Sequence, residues 1–140
     1  MASLSDDARS FNWLIDNFVD DTTGVTDAVA VSSDGLLIAR SRTLDRQSAE
    51  QVAAIVTGIV SLAQSASRAF GFNGLEQCII SMKRGFLFVS AISDGSCLGV
   101  VAVKGCDIGL VGYQTTLLVE RAGSVLTPEL IAELRTAVLT

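Results

Sequence analysis

Histidine is absent from this 140-residue chain, and proline occurs once. The first absence excludes every chemistry that leans on imidazole, including Ser-His-Asp and Cys-His nucleophiles and His-ligated metals. Charge is scarce as well: 18% of residues are Asp, Glu, Lys or Arg against 49% hydrophobic, and mean hydropathy is +0.49. Disordered chains have the opposite balance, so this is the sequence of a folded domain. With 15 acidic against 10 basic residues and an isoelectric point near 4.5, nucleic acid is a poor partner. Cys78, Cys97 and Cys106 form an odd set without C-x-x-C spacing. They read as small buried thiols in a reducing cytoplasm, with no metal site. The N-terminus is acidic and lacks the basic and apolar regions of a signal peptide. The longest uncharged stretch, Gln51 to Ser67, is interrupted by Ser, Thr and Gln and falls short of the roughly 20 apolar residues of a membrane span. The expectation is a single cytoplasmic domain over residues 1–140, with no direct membrane insertion.

What is present is regular patterning. Phe11, Leu14, Ile15, Phe18 and Val19 recur at helical spacing, which predicts a first helix over Asp6 to Asp21. Val25–Val31 and Leu36–Ala39 are short β-branched or apolar runs joined by Ser32-Ser33-Asp34-Gly35, a hairpin signal. Ser48 to Phe70 reads as a long helix, with Ser48 and Gln51 as a capping box and Gly71 as its stop. Three strands follow, Leu75–Met82, Phe86–Ile92 and Cys97–Val103, with turns at Lys83-Arg84-Gly85 and Ser93-Asp94-Gly95-Ser96. The last two are apolar on both sides of the pleat, so both faces must be covered. Asp107 caps a third helix through Ala122, ended by Gly123, and Thr127-Pro128-Glu129 opens a short C-terminal one over about 127–139. Short hairpins imply an antiparallel five-stranded sheet, and helices on both faces make an α/β (α+β) sandwich of three layers.

No catalytic signature survives inspection. The G-x-x-x-x-G-K-[ST] phosphate loop is absent, and Gly105-Cys-Asp-Ile-Gly109-Leu-Val-Gly112 lacks a G-x-G pair and a parallel βαβ setting. In Gly95-Ser96-Cys97-Leu98-Gly99 the serine stands one place too early for a nucleophile elbow. Asp6-Asp7 and Asp20-Asp21 lie at helix ends, where acidic side chains are ordinary solvated groups. No catalytic, cofactor or metal residue is therefore assigned, and the chain is not read as an enzyme. Charge is nonetheless unevenly placed: residues 1–34 carry a net −6 and residues 35–70 a net +2. Arg40, Arg42 and Arg46 cluster between the first hairpin and the long helix, and Lys83 and Arg84 occupy a hairpin tip. These five are candidate contacts for an acidic protein partner.

The long helix is the informative element. Val52, Ile55, Val56, Ile59, Leu62, Ala63, Ala66 and Phe70 share one broad face, expected to cover the sheet. The opposite face carries Ala54, Gly58, Ser61 and Ser65, with no charge between Glu50 and Arg68. Glycine in mid-helix costs roughly 1 kcal/mol relative to alanine, so Gly58 asks for a reason. A small-residue face allows a second backbone to approach, and the simplest partner is the same helix of a second copy across a two-fold axis.

The order of these elements, together with several strings, resembles the Roadblock/dynein-light-chain family, in particular its bacterial members. The strings are Val31-Ser-Ser-Asp-Gly-Leu-Leu, Ala53-Ala-Ile-Val-Thr-Gly-Ile-Val-Ser-Leu-Ala, Arg84-Gly-Phe-Leu-Phe-Val, Asp94-Gly-Ser-Cys-Leu-Gly-Val-Val and Asp107-Ile-Gly-Leu-Val. The match runs over about residues 10–122, and the tail from Leu126 is similar to actinobacterial members. The resemblance implies a profilin-like αββαβββα fold whose copies join edge strands and long helices. It nominates Leu75–Met82 as the paired edge, with Cys78, Ile80 and Met82 at the interface beside Ala54, Gly58, Ser61 and Ser65. It also implies a non-catalytic regulator or scaffold for a small Ras-like GTPase, in some genomes encoded beside a sensor kinase. Alternatives are a structural adaptor like the dynein light chains and, from the covered sheet itself, a small-ligand sensor.

Overall fold

The computed structural model describes residues 4–139. Its elements in chain order are α1 (Asp6–Asp21), β1 (Val25–Val31), β2 (Leu37–Arg40), α2 (Arg46–Phe70), β3 (Gln77–Met82), β4 (Gly85–Ala91), β5 (Cys97–Val103), α3 (Ile108–Val125) and α4 (Pro128–Leu139). All five strands form one sheet in the order β2-β1-β5-β4-β3, every neighbouring pair antiparallel. The expected αββαβββα order, with an added C-terminal helix, is the observed one.

The sheet is buried on both faces by two separate apolar clusters. One joins Phe11, Ile15 and Phe18 of α1 to Ile38, Phe88, Leu98 and Val100 of the sheet and to Val111 and Leu118 of α3. The other joins Val29, Val31, Leu87 and Val89 to Ala49, Ala53 and Val56 of α2. Alternation along β1, β4 and β5 sends neighbouring residues to opposite clusters, which is why those strands read as continuous apolar runs. The α4 helix sits at the β2 edge. Its Leu130 and Leu134 belong to the α1/α3 cluster, while Val138 packs against the α2 cluster on the other face. Glu133 accepts from both the backbone N–H and the hydroxyl of Ser5 at 2.7 Å, and Arg135 pairs with Asp34 at 3.2 Å. One edge of the sheet is thereby covered, whereas β3 ends the other.

Several local expectations shift. The cap of α2 is Asp45, whose carboxylate accepts from the Ser48 N–H at 2.7 Å, so the helix starts two residues before the Ser48 box. A carboxylate facing two unpaired N–H groups outcompetes a hydroxyl one turn later. Gly71 ends α2 as expected, in the left-handed conformation. Gly123 does not stop α3, which continues to Val125. A Cβ there would stand 2.7 Å from Ser93 Oγ, so this glycine serves close packing against the β4–β5 turn. Thr127 caps α4, accepting from Leu130 N–H at 3.1 Å. Strands β2 and β3 begin at Leu37 and Gln77, slightly later than their apolar runs suggest.

Candidate interaction surface

Only a narrow lane of α2 touches the sheet. Ala49, Ala53, Val56 and Ser67 are its buried residues, and Val52, Ile59, Val60 and Ala63 are half-buried. Ile55 is 50% exposed, Leu62 75% and Phe70 70%, and Ala66 is exposed too. The broad face expected to cover the sheet is thus split, and half of it faces outward. The cause lies underneath. Val29, Gly99 and Val89 form a cross-strand row with the glycine in the middle, and a Cβ on Gly99 would lie 2.6 Å from Val56 Cγ2. Val56 fills that notch, so the helix axis settles close to the sheet and only small side chains fit beside it. Larger apolar residues on the flank are left in the open.

The predicted small-residue face is also exposed. Ala54, Gly58, Ser61 and Ser65 all lie on the outside, and a Cβ on Gly58 would meet nothing within 4 Å. Within the chain nothing packs on this glycine. Ser65 donates to the Ser61 carbonyl at 3.0 Å and accepts from Arg68, so its hydroxyl is served locally. By length and apolarity α2 would suffice to cross a membrane, with 17% of its most apolar window buried. A long, apolar, largely uncovered helix calls for a partner surface.

That surface continues onto β3. The Gln64 side chain accepts from Leu75 N–H at 3.2 Å and Ser67 Oγ from Gly74 N–H at 2.6 Å, tying the end of α2 to the start of the edge strand. Cys78 and Ile80 are half-buried and pack against the α2 cluster, whereas Ile79 is 44% and Met82 49% exposed. Phe70 and Phe72 stack with centroids 5.5 Å apart beside them in sequence, both exposed.

The two basic clusters differ in kind. Arg40 donates to the Leu44 carbonyl at 2.6 Å, Arg42 pairs with Asp20 at 2.9 Å, and Arg46 pairs with Glu50 at 2.9 Å. Arg42 also donates its backbone N–H to Asp16. Arg42 and Arg46 are thus neutralised within the chain, and Arg40 is held by a backbone carbonyl. Lys83 and Arg84 form the exposed two-residue turn between Met82 and Gly85, and neither has an ion pair among the described residues.

Grooves on the surface are open rather than enclosed. One of about 300 Å³ runs between α1 and α3, lined by Leu14, Phe18, Leu110, Gln114 and Arg121. Another, near 380 Å³, lies between the β1–β2 turn, the start of α2 and Val138 of α4. Cys97 is buried, and burial with the nearby Asp94 pushes its thiol up to about 11. Among the described residues no group of three or more Cys, Asp or Glu is placed to hold a metal.

An antiparallel five-stranded sheet layered between helices, with one edge closed by its own tail and the other open beside an uncovered helix, defines a domain of the αββαβββα class. The chain belongs to the Roadblock/LC7 domain family, whose model matches residues 11–102. A Roadblock/LC7 domain from Streptomyces avermitilis is 34% identical, with 79% of this chain and 92% of that one covered and a TM-score of 0.75. Myxococcus xanthus MglB shares the fold at 14% identity, TM-score 0.78, covering 91% of this chain and 98% of that one. A Loki profilin solved with rabbit actin shares it more loosely, at 10% identity and TM-score 0.58, over 88% of this chain and all of the other. No curated protein matches the sequence. The family, its profilin-like fold and the actinobacterial resemblance are as the sequence implied.

Proposed function

We propose that this chain is a non-catalytic cytoplasmic module that forms a homodimer and regulates or scaffolds a small Ras-like GTPase, in a setting that can include a sensor kinase. The carrying observation is the uncovered apolar flank of α2, Ile55, Leu62 and Phe70, together with the open β3 edge. Burying a leucine-sized side chain is worth about 1.5–3 kcal/mol, so covering several in each copy suffices for stable self-association. Membership of the Roadblock/LC7 family supports the reading, because bacterial members resemble GTPase regulators that work by docking. The fold shared with MglB agrees with it. Lys83 and Arg84, lacking internal partners, are better placed than Arg40, Arg42 and Arg46 to meet an acidic surface.

The test has two parts. Light scattering on the purified chain should give twice the 14.7 kDa protomer mass at micromolar concentration. Pull-down of a Ras-like GTPase encoded beside the gene, loaded with GTP or GDP, should show nucleotide-dependent capture. Capture without any change in hydrolysis would leave scaffolding alone, and no capture with either nucleotide would overturn both regulation and scaffolding.

A further inference from the structure

The groove between α1 and α3 lies on the face of the sheet opposite α2. Its two walls run antiparallel. Val103 N–H donates to the Gly24 carbonyl at 2.8 Å, and a Cβ on Gly24 would stand 2.6 Å from Cys106 Cβ. The C-terminal end of α1 therefore abuts the start of α3. Asp21 and Leu110 mark that end of the groove. Arg121 marks the other, about 16 Å along α3 from Leu110 at 1.5 Å per residue. Between them Leu14, Phe18 and Leu118 supply an apolar lining, the last two buried.

Four polar side chains also line the groove, and none has an internal partner among the described residues: Asn17 and Asp21 on α1, Gln114 and Arg121 on α3. Neighbouring charges are engaged or turned away. Arg42 holds Asp16 and Asp20, and Lys104 donates to Ser81 Oγ and the Met82 carbonyl. Asp107, which accepts from Leu110 N–H at 3.1 Å, adds a second carboxylate at the Asp21 end. Asp7 and Glu120 stand toward the Arg121 end of the two helices, but neither lines the groove. The result is a groove with an acidic end, a basic end and a half-buried carboxamide on each wall. A carboxamide both donates and accepts, as a peptide group does. A helical occupant would satisfy its own backbone, whereas an extended one brings free N–H and C=O groups to Asn17 and Gln114. Every second side chain of an extended segment faces the groove, so the smallest even spacing that spans about 16 Å is roughly six residues.

We propose that the α1–α3 groove binds an extended segment of a partner protein that carries Lys or Arg at the Asp21 end and Asp or Glu about six residues away at Arg121. Two apolar side chains between them lie over Leu14, Phe18 and Leu118. The site is independent of the α2 flank and of the oligomeric state.

Amide NMR on the full chain tests it, with three end-blocked heptapeptides as probes: Arg-Ser-Leu-Ser-Leu-Ser-Glu, its reverse, and a neutral form with Gln at both ends. One charged peptide should saturate with a Kd on the order of 100 μM, moving amides of α1 from Leu14 onward and of α3 up to Arg121. The neutral form should bind about fivefold more weakly or less. Asp21→Arg combined with Arg121→Asp trades the charged ends and leaves the walls alone, and both residues are exposed, so the circular dichroism spectrum should be unchanged. In this variant the preference should pass to the reverse peptide. No saturation by either charged peptide below about 1 mM, a neutral peptide that binds equally well, an unchanged preference after the swap, or shifts confined to α2 and β3 would each overturn the proposal. A helical Leu/Lys peptide of about 14 residues that moves the α1 and α3 amides where the heptapeptides do not would overturn the extended occupant.

Discussion

Placing a methyl group at Gly99 should destabilise the protein through one contact, and the size of the effect follows from the notch beneath α2. In Gly99→Ala the new Cβ would stand 2.6 Å from Val56 Cγ2 and 3.2 Å from Val29 Cγ2, where ordinary contact begins near 3.4 Å. Val56 is fully buried and cannot swing away. Overpacking of this kind costs about 1–3 kcal/mol. Against it, alanine restricts the unfolded chain more than glycine does, which returns roughly 0.5–1 kcal/mol. The expected net loss is about 1–2 kcal/mol. Val56→Ala alone removes two buried methyl groups and should cost about 1–3 kcal/mol. Combined, the two changes should cost at least about 1 kcal/mol less than their sum, because the second opens the space the first needs. Urea denaturation followed by circular dichroism, at one fixed protein concentration, reads all four corners of the cycle. A Gly99→Ala protein as stable as wild type, or strictly additive losses, would refute the notch.

Other outcomes follow from the same structure. Leu62→Glu should leave the far-ultraviolet spectrum intact yet shift a dimer to monomer on light scattering; an unaltered dimer would show that the α2 flank lies outside the interface. Asp45→Ala should cost about 1 kcal/mol of stability and Ser48→Ala within about 0.5, since the carboxylate of Asp45 holds the first turn of α2; the reverse order in denaturant melts would restore the Ser48 box. At pH 8 a thiol reagent should modify the half-buried Cys106 while Cys97, buried and raised to about 11, resists until the protein unfolds; equal rates for these two thiols would contradict the burial of Cys97. Hydrogen bonds from Ser5 hold Glu133 below its ordinary value of 4.5, and Ser32 with Arg135 does the same to Asp34 against 3.8. Lowered folded values mean stability present above the unfolded values and lost as pH falls through the folded ones. Amide-exchange protection, corrected for the intrinsic pH dependence of the exchange rate, should therefore fall in α4 more than in α1 as the pH drops below about 4, and a uniform fall would count against this docking.

Local pattern made most of the architecture readable. Periodicities of two and 3.6 reflect backbone geometry and act over a few residues, so α1, the hairpin at Asp34-Gly35 and the apolar runs of β4 and β5 could be placed from the chain alone. Asp107 and Thr127 cap where expected because capping is a short-range hydrogen bond. The same range explains the misses. Asp45 and Ser48 are both good caps, and which one starts α2 depends on where the helix lands. Gly123 looks like a stop, yet its role is set by Ser93, thirty residues away in sequence and across a layer.

For the interaction surface the division is sharper. Ala54, Gly58, Ser61 and Ser65 stood out in the sequence as a face without charge, and they do lie outside. Arg40, Arg42 and Arg46 stood out equally beside Lys83 and Arg84, because a linear sequence does not show that Asp20 and Glu50 sit close enough to neutralise two of them.

By itself the sequence determined the order of elements and the two-sided burial of the sheet, since both follow from residue type and spacing along one chain. Only the tertiary structure decided which half of the apolar face of α2 is buried, because that depends on Gly99 lowering the sheet beneath Val56. It also decided which edge stays open. Reading that required α4 to fold back on β2, contacts that join residues more than ninety positions apart and leave no periodic trace in the chain.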